Sequence, residues 1–127
     1  MGRCGEEGGE VGVAGGRVVA IGSEAGATGL PIGVSTYGAA QAGAAGFIRH
    51  LALEPAGQGV TANTIALGLV ADGQPEPPES AALASTIPVR RIGSPDDAGA
   101  LTVYLVSEEA SWITGQTINL NGGTLMA

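Results

Sequence analysis

Few side chains in this sequence can do nucleophilic, acid–base or metal chemistry. There is one cysteine, Cys4, and one histidine, His50; the basic residues are all arginine (Arg3, Arg17, Arg49, Arg90 and Arg91), so lysine is absent. A lone cysteine cannot close an intrachain disulfide, so nothing calls for an oxidising compartment, and a cytoplasmic location is expected. No metal site is expected. Gly9, Gly12, Gly15 and Gly16 invite comparison with a phosphate-cradling loop. The Gly-x-Gly-x-x-Gly spacing is missing and no apolar strand precedes them, which leaves a linker.

Composition narrows the function classes. At 127 residues, 44% apolar and 13% charged, the chain suits one compact domain. Twelve acidic residues against five basic ones give a formal charge of −7, which opposes a phosphate backbone, so nucleic acid is not an expected partner. No apolar run approaches the roughly 20 residues that span a bilayer. Residues 1–16 are rich in glycine and glutamate and lack the basic-then-apolar order of a signal peptide, so neither membrane insertion nor secretion is expected. With 23 glycines and 3% aromatics, a core must be built from Ala, Val, Ile and Leu.

The elements that would position a site follow from punctuation and periodicity. Residues 1–16 read as a flexible tail and 17–127 as the folded part. The β-branched run 18–21, stopped by Gly22 and Ser23, predicts a buried parallel strand. Gly26, Gly29, Pro31 and Gly33 then make a loop. Alanine and leucine dominate 37–54, which predicts a helix ended by Pro55 and Gly57, and 60–65 reads as a second strand. Pro75, Pro77 and Pro78 forbid a continuous helix over 67–93, leaving a flap with a short helix near 81–85. Ser94-Pro95-Asp96-Asp97 starts a helix over 95–106, with Ala98, Leu101, Leu105 and Val106 as its buried stripe. A third strand at 116–120 is closed by Asn121-Gly122-Gly123. Alternating strands and helices imply an α/β fold with a parallel sheet.

Several stretches, in order, resemble the carboxyl-terminal half of the short-chain dehydrogenase/reductase family, in particular its 3-oxoacyl-(acyl carrier protein) reductase branch. They are Ser23 ahead of Tyr37, Asn63-Thr64-Ile65, Ile87-Pro88 with Arg91-Ile92-Gly93-Ser94-Pro95-Asp96-Asp97, Ser111-Trp112-Ile113-Thr114-Gly115-Gln116, and Asn121-Gly122-Gly123. The resemblance runs from Arg17 onward, and residues 1–16 match nothing in it. It implies a partial Rossmann-like three-layer fold whose sheet holds the last three of the family's seven strands. It also implies a small-molecule carbonyl substrate and an NADP or NAD cofactor that delivers or accepts hydride. By position, Ser23 would hydrogen-bond the substrate carbonyl and Tyr37 would be the general acid/base, giving a proton to the alkoxide that reduction creates.

The departures from the family pattern matter as much. The family lysine four residues after the tyrosine is here Gln41, one helical turn on and on the same face as Tyr37. An ammonium there would favour the ionised phenol and hold the nicotinamide ribose; a neutral amide can do only part of the second task. His50, thirteen residues from Tyr37, falls on the opposite side of the helix and is expected at the surface. Gly68 and Val70 keep the cofactor-side pattern, but Leu67 replaces a proline and Asp72 replaces a threonine near the phosphates, where a carboxylate is repulsive. The family's glycine-rich turn and adenosine-reading residue belong to its first half, which has no counterpart in these motifs. Three readings follow: an active oxidoreductase whose cofactor half lies elsewhere, a non-catalytic subunit in a homo-oligomer or a hetero-oligomer with an intact relative, or a truncated remnant.

Overall fold

The computed structural model describes residues 15–127. The expected flexible tail therefore lies outside the described residues, except for Gly15 and Gly16, where the Gly16 carbonyl already accepts from Thr61 N at 3.0 Å. Three strands, β1 (Arg17–Ser23), β2 (Thr61–Leu67) and β3 (Thr117–Leu120), form a sheet in the order β1-β2-β3. Both pairings are parallel, with Ile21 opposite Ile65 and Thr64 opposite Thr117. The helices are α1 (Ser35–Leu53), α2 (Ser80–Thr86) and α3 (Pro95–Leu105).

Side chains alternate across the sheet, so each face has its own cover. On one face Ile48, Leu51 and Ala52 of α1 pack on Ala20 and Ala62. On the other, Leu101 and Leu105 of α3 pack with Val19, Ile65, Ile118 and Leu120. The result is the expected three-layer α/β arrangement. Asn63, fully buried, plugs the approach to β3: its Nδ2 donates to Ile113 O at 2.8 Å and its Oδ1 accepts from Gln116 N at 3.0 Å.

Three local expectations need correction. The first strand is an edge rather than a buried strand, with Val18 and Ile21 exposed, because β2 is its one neighbour among the described residues. Val106 lies past the end of α3, where it is exposed as the C-cap residue. Finally, α1 begins at Ser35, two residues early, after Val34, whose side chain makes no capping bond and so leaves no sequence signal. By contrast α3 starts as expected. Ser94 Oγ accepts from Asp97 N, and the Asp97 carboxylate accepts from Ser94 N at 2.8 Å.

A short 3-10 turn, Glu24–Gly26, joins β1 to the loop before α1 and sits directly on that helix. A Cβ on Gly26 would lie 2.8 Å from Ala42 N, and one on Gly38 would lie 2.8 Å from Ala25 O. Turn and helix thus touch backbone to backbone. Gly43, on the same helix, faces open space. Alanine ordinarily stabilises a helix by about 1 kcal/mol over glycine. Gly43→Ala should therefore raise stability by about 0.5–1 kcal/mol, whereas Gly38→Ala should lower it by about 1–3 kcal/mol through overpacking. Urea midpoints of the two variants check this; equal stabilisation by both would refute the close contact.

Candidate functional site

The carboxyl ends of parallel strands are where open α/β sheets place their ligands, and Ser23 is the last residue of β1. Its Oγ accepts a hydrogen bond from Ala25 N at 3.1 Å, capping the 3-10 turn. The hydroxyl hydrogen stays available for a carbonyl oxygen. Tyr37 is the third residue of α1, with 49% of its surface exposed. Gln41 follows one turn later and lays its amide over Gly22: its Oε1 is 3.3 Å from where a Cβ on Gly22 would be.

Ser23 and Gln41 line one cavity of about 110 Å³, together with Ala45, Arg49, Thr64 and Thr117. Tyr37 is not among the residues lining it; its phenol stands at the surface on the preceding turn. The structure thus joins two of the three expected catalytic positions in a shared space. His50 is exposed.

The expected cofactor-side residues lie after β2. Gly68 must be glycine, since a Cβ there would fall 2.6 Å from Asn121 Cβ. Val70 forms a parallel bridge with Gly93, which pins the two ends of the flap together. It lines a second cavity, of about 200 Å³, with Ile87, Arg91, Asn121 and Gly122. Asp72 is exposed, and its carboxylate accepts from Gln74 N at 2.9 Å within its own loop.

One residue beside the site escaped the sequence reading. Glu24, immediately after Ser23, accepts from Asn121 Nδ2 at 2.9 Å and Thr124 Oγ1 at 2.7 Å. This clasp ties the Ser23 turn to the Asn121-Gly122-Gly123 loop, where Asn121 Oδ1 also accepts from Gly123 N at 3.0 Å. Its partners lie about a hundred positions away in sequence, so no local pattern announces it.

With this geometry in view, the relatives become informative. A family model described as enoyl-(acyl carrier protein) reductase matches residues 4–124. The chain belongs to the short-chain dehydrogenase/reductase family. The match begins upstream of Arg17, so it takes in most of the segment that the motifs left outside the family. The 3-oxoacyl-(acyl carrier protein) reductase of Haemophilus influenzae is 38% identical over 115 residues, covering 88% of this chain and 47% of that protein. The acetoacetyl-CoA reductase of Shinella zoogloeoides is 41% identical over 112 residues, covering 85% and 46%. This short-chain dehydrogenase/reductase chain thus spans about half the length of the curated relatives it matches.

Solved structures agree on the fold. A 3-oxoacyl-(acyl carrier protein) reductase with bound NAD from Brucella melitensis superposes with a TM-score of 0.77 at 35% identity, covering 88% of this chain and 42% of that one. An NADPH-bound short-chain oxidoreductase from Pseudomonas aeruginosa PAO1, described as containing an atypical catalytic center, gives 0.79 at 31% identity, covering 87% and 46%.

The best-defined ion pair near the second cavity is Arg91–Asp97, with contacts of 2.7 and 2.8 Å. The Arg91 guanidinium, followed by the Ser94 amide, holds the Asp97 carboxyl well below the usual carboxylate range. A depressed carboxyl stabilises the fold above its unfolded pKa and loses that contribution as pH falls. Asp97→Asn should therefore lower the thermal midpoint at neutral pH, and the gap to the parent chain should close as pH drops below about 4. Thermal scans at both pH values check this; a gap that widens on acidification would contradict it.

Proposed function

We propose that this chain carries the carbonyl-handling half of a nicotinamide-dependent oxidoreductase site, acting on a 3-oxoacyl thioester. The observation that carries the reading is the shared cavity of Ser23 and Gln41 at the carboxyl end of β1, with Tyr37 one turn earlier on the same helix. Ser23 donates its free hydrogen to the substrate carbonyl oxygen, and Tyr37 gives its phenolic proton to the alkoxide oxygen as reduction proceeds. Two O–H donors suit protonation at oxygen rather than at carbon, which favours a carbonyl over an enoyl double bond. The 3-oxoacyl and acetoacetyl reductases among the relatives support the substrate class.

The residues fit one end of an NADP or NAD molecule. Gln41 lies over Gly22, in a space that a Cβ would narrow, and its amide can hydrogen-bond a ribose hydroxyl. It brings no positive charge. Gly68 and Val70 continue the same end of the sheet, while Asp72, if close to phosphates, would repel them. Among the described residues, no glycine-rich strand-to-helix turn offers a pyrophosphate seat. When bound, the cofactor supplies or accepts hydride.

Phe47, Leu53 and Trp112 are 64%, 75% and 97% exposed, and β1 is left as an unpaired sheet edge among the described residues. Association follows, with a second copy or with an intact relative. No helix is long and apolar enough to cross a membrane among the described residues. Gln41 favours one further reading, a non-catalytic subunit, since it removes the cation that would promote phenol ionisation.

Complementation separates the two. The chain is mixed with the amino-terminal half of a family reductase, and NADPH oxidation is followed on an acetoacetyl thioester. Gln41→Lys should raise the rate, and Tyr37→Phe should lower the raised rate by at least about a hundredfold. A rate indifferent to Tyr37→Phe would overturn the catalytic assignment; no turnover with either Gln41 or its lysine variant would favour the subunit reading.

A further inference from the structure

Strands β1 and β3 are not neighbours, since β2 lies between them, yet the segments that follow them are tied together. The tie is the Glu24 side chain, whose Oε2 accepts from both Asn121 Nδ2 and Thr124 Oγ1. The ion pairs Arg17–Glu108 and Arg91–Asp97 leave this carboxylate to its neutral donors. Hydrogen bonds to a charged acceptor are the stronger kind.

Asn121 is a fixed post. Its Nδ2 also donates to Leu125 O at 3.0 Å, and its Oδ1 accepts from Gly123 N at 3.0 Å. Both amide hydrogens and the amide oxygen are thereby engaged, which sets the orientation of the group. Behind it stands Gly68, the first residue after β2, whose amide donates to Leu120 O at 3.0 Å. A Cβ on Gly68 would lie 2.6 Å from Asn121 Cβ and 2.8 Å from Asn121 Cα, so a side chain there would displace the post.

At the other end of the tie, Glu24 belongs to the turn it anchors. Its carbonyl accepts from Ala27 N at 2.9 Å and Thr28 N at 3.1 Å, and the Ser23 hydroxyl caps the same turn through Ala25 N. Ser23 ends a strand with one neighbour among the described residues, so its direction depends on what restrains the turn.

We propose that Glu24 is a positioning residue for Ser23: through Asn121 and Thr124, the segment after β3 sets the direction of the Ser23 hydroxyl, and Gly68 provides the clearance this requires. The effect on carbonyl chemistry rests on the function proposed above; the mechanical coupling does not. The test is native-state amide exchange of the full chain, read as protection factors. Thr124→Val keeps the side-chain shape at an exposed position about a hundred residues from the turn. It should lower protection at Ala25, Ala27 and Thr28 several-fold, and Glu24→Ala should lower it at least about tenfold, with Asn63 and Ile65 in β2 unchanged. Glu24→Gln retains an accepting oxygen and should restore most of the protection. In the complementation mixture, Glu24→Ala should lower kcat about tenfold with KM within about twofold, and Glu24→Gln should recover it. Protection at Ala25 unchanged by both Thr124→Val and Glu24→Ala would overturn the proposal. So would an equal loss at Ala25, Asn63 and Ile65, the mark of a contact that serves the whole fold. A mixture that never turns over would overturn the carbonyl reading alone, because the exchange measurement needs no activity.

Discussion

The seating of the Glu24–Gly26 turn on α1 is the contact on which the arrangement depends. Gly26 and Gly38 let two backbones meet without intervening side chains, and this fixes the end of β1 against the first two turns of the helix. Those turns carry Tyr37 and Gln41, and the end of β1 carries Ser23. A side chain at either glycine would push the helix away and open the Ser23–Gln41 cavity. The Ser23 hydroxyl contributes from within, capping the same turn, and the Glu24 clasp to Asn121 and Thr124 holds it from outside. A cluster of short polar contacts around one glycine-mediated contact is therefore what converts a parallel sheet into a site.

The sheet beneath supplies rigidity unevenly. β2 is buried along nearly its whole length, between α1 and α3, and the largest fully buried side chains are only Ile65, Leu105 and Asn63. Such a core is small, and much of its packing uses alanine. Edge strand β1 keeps Val18 and Ile21 exposed while presenting Ser23 at its end. Surfaces of that kind are covered in stable proteins, which links the proposed association to the integrity of the site itself.

Legibility in the sequence followed how local each signal was. The two longer strands and α3 could be read directly, because β-branched runs and the Ser94–Asp97 capping box encode them within a few residues. The start of α1 could not, since Val34 supplies no side-chain cap. The exposure of β1 was invisible because burial depends on neighbours rather than on composition. Ser23 and Tyr37 are candidates through family spacing, yet nothing local shows that Ser23 caps a turn, that Gln41 lies over Gly22, or that Glu24 reaches Asn121. These contacts come from the tertiary fold, as does the alignment of Thr64 with Thr117.

In the proposed reading these residues meet the carbonyl and the nicotinamide–ribose end of a cofactor, and no described residue reaches beyond it. Binding of NADPH and of reduced nicotinamide mononucleotide to the unmodified chain, followed by nicotinamide fluorescence, tests this most directly. The two should bind weakly and with dissociation constants within about threefold of each other, because the described residues offer no seat for the adenosine and second phosphate. NADPH binding tighter by more than about tenfold, or roughly 1.4 kcal/mol, would reveal such a seat among these residues and contradict the claim.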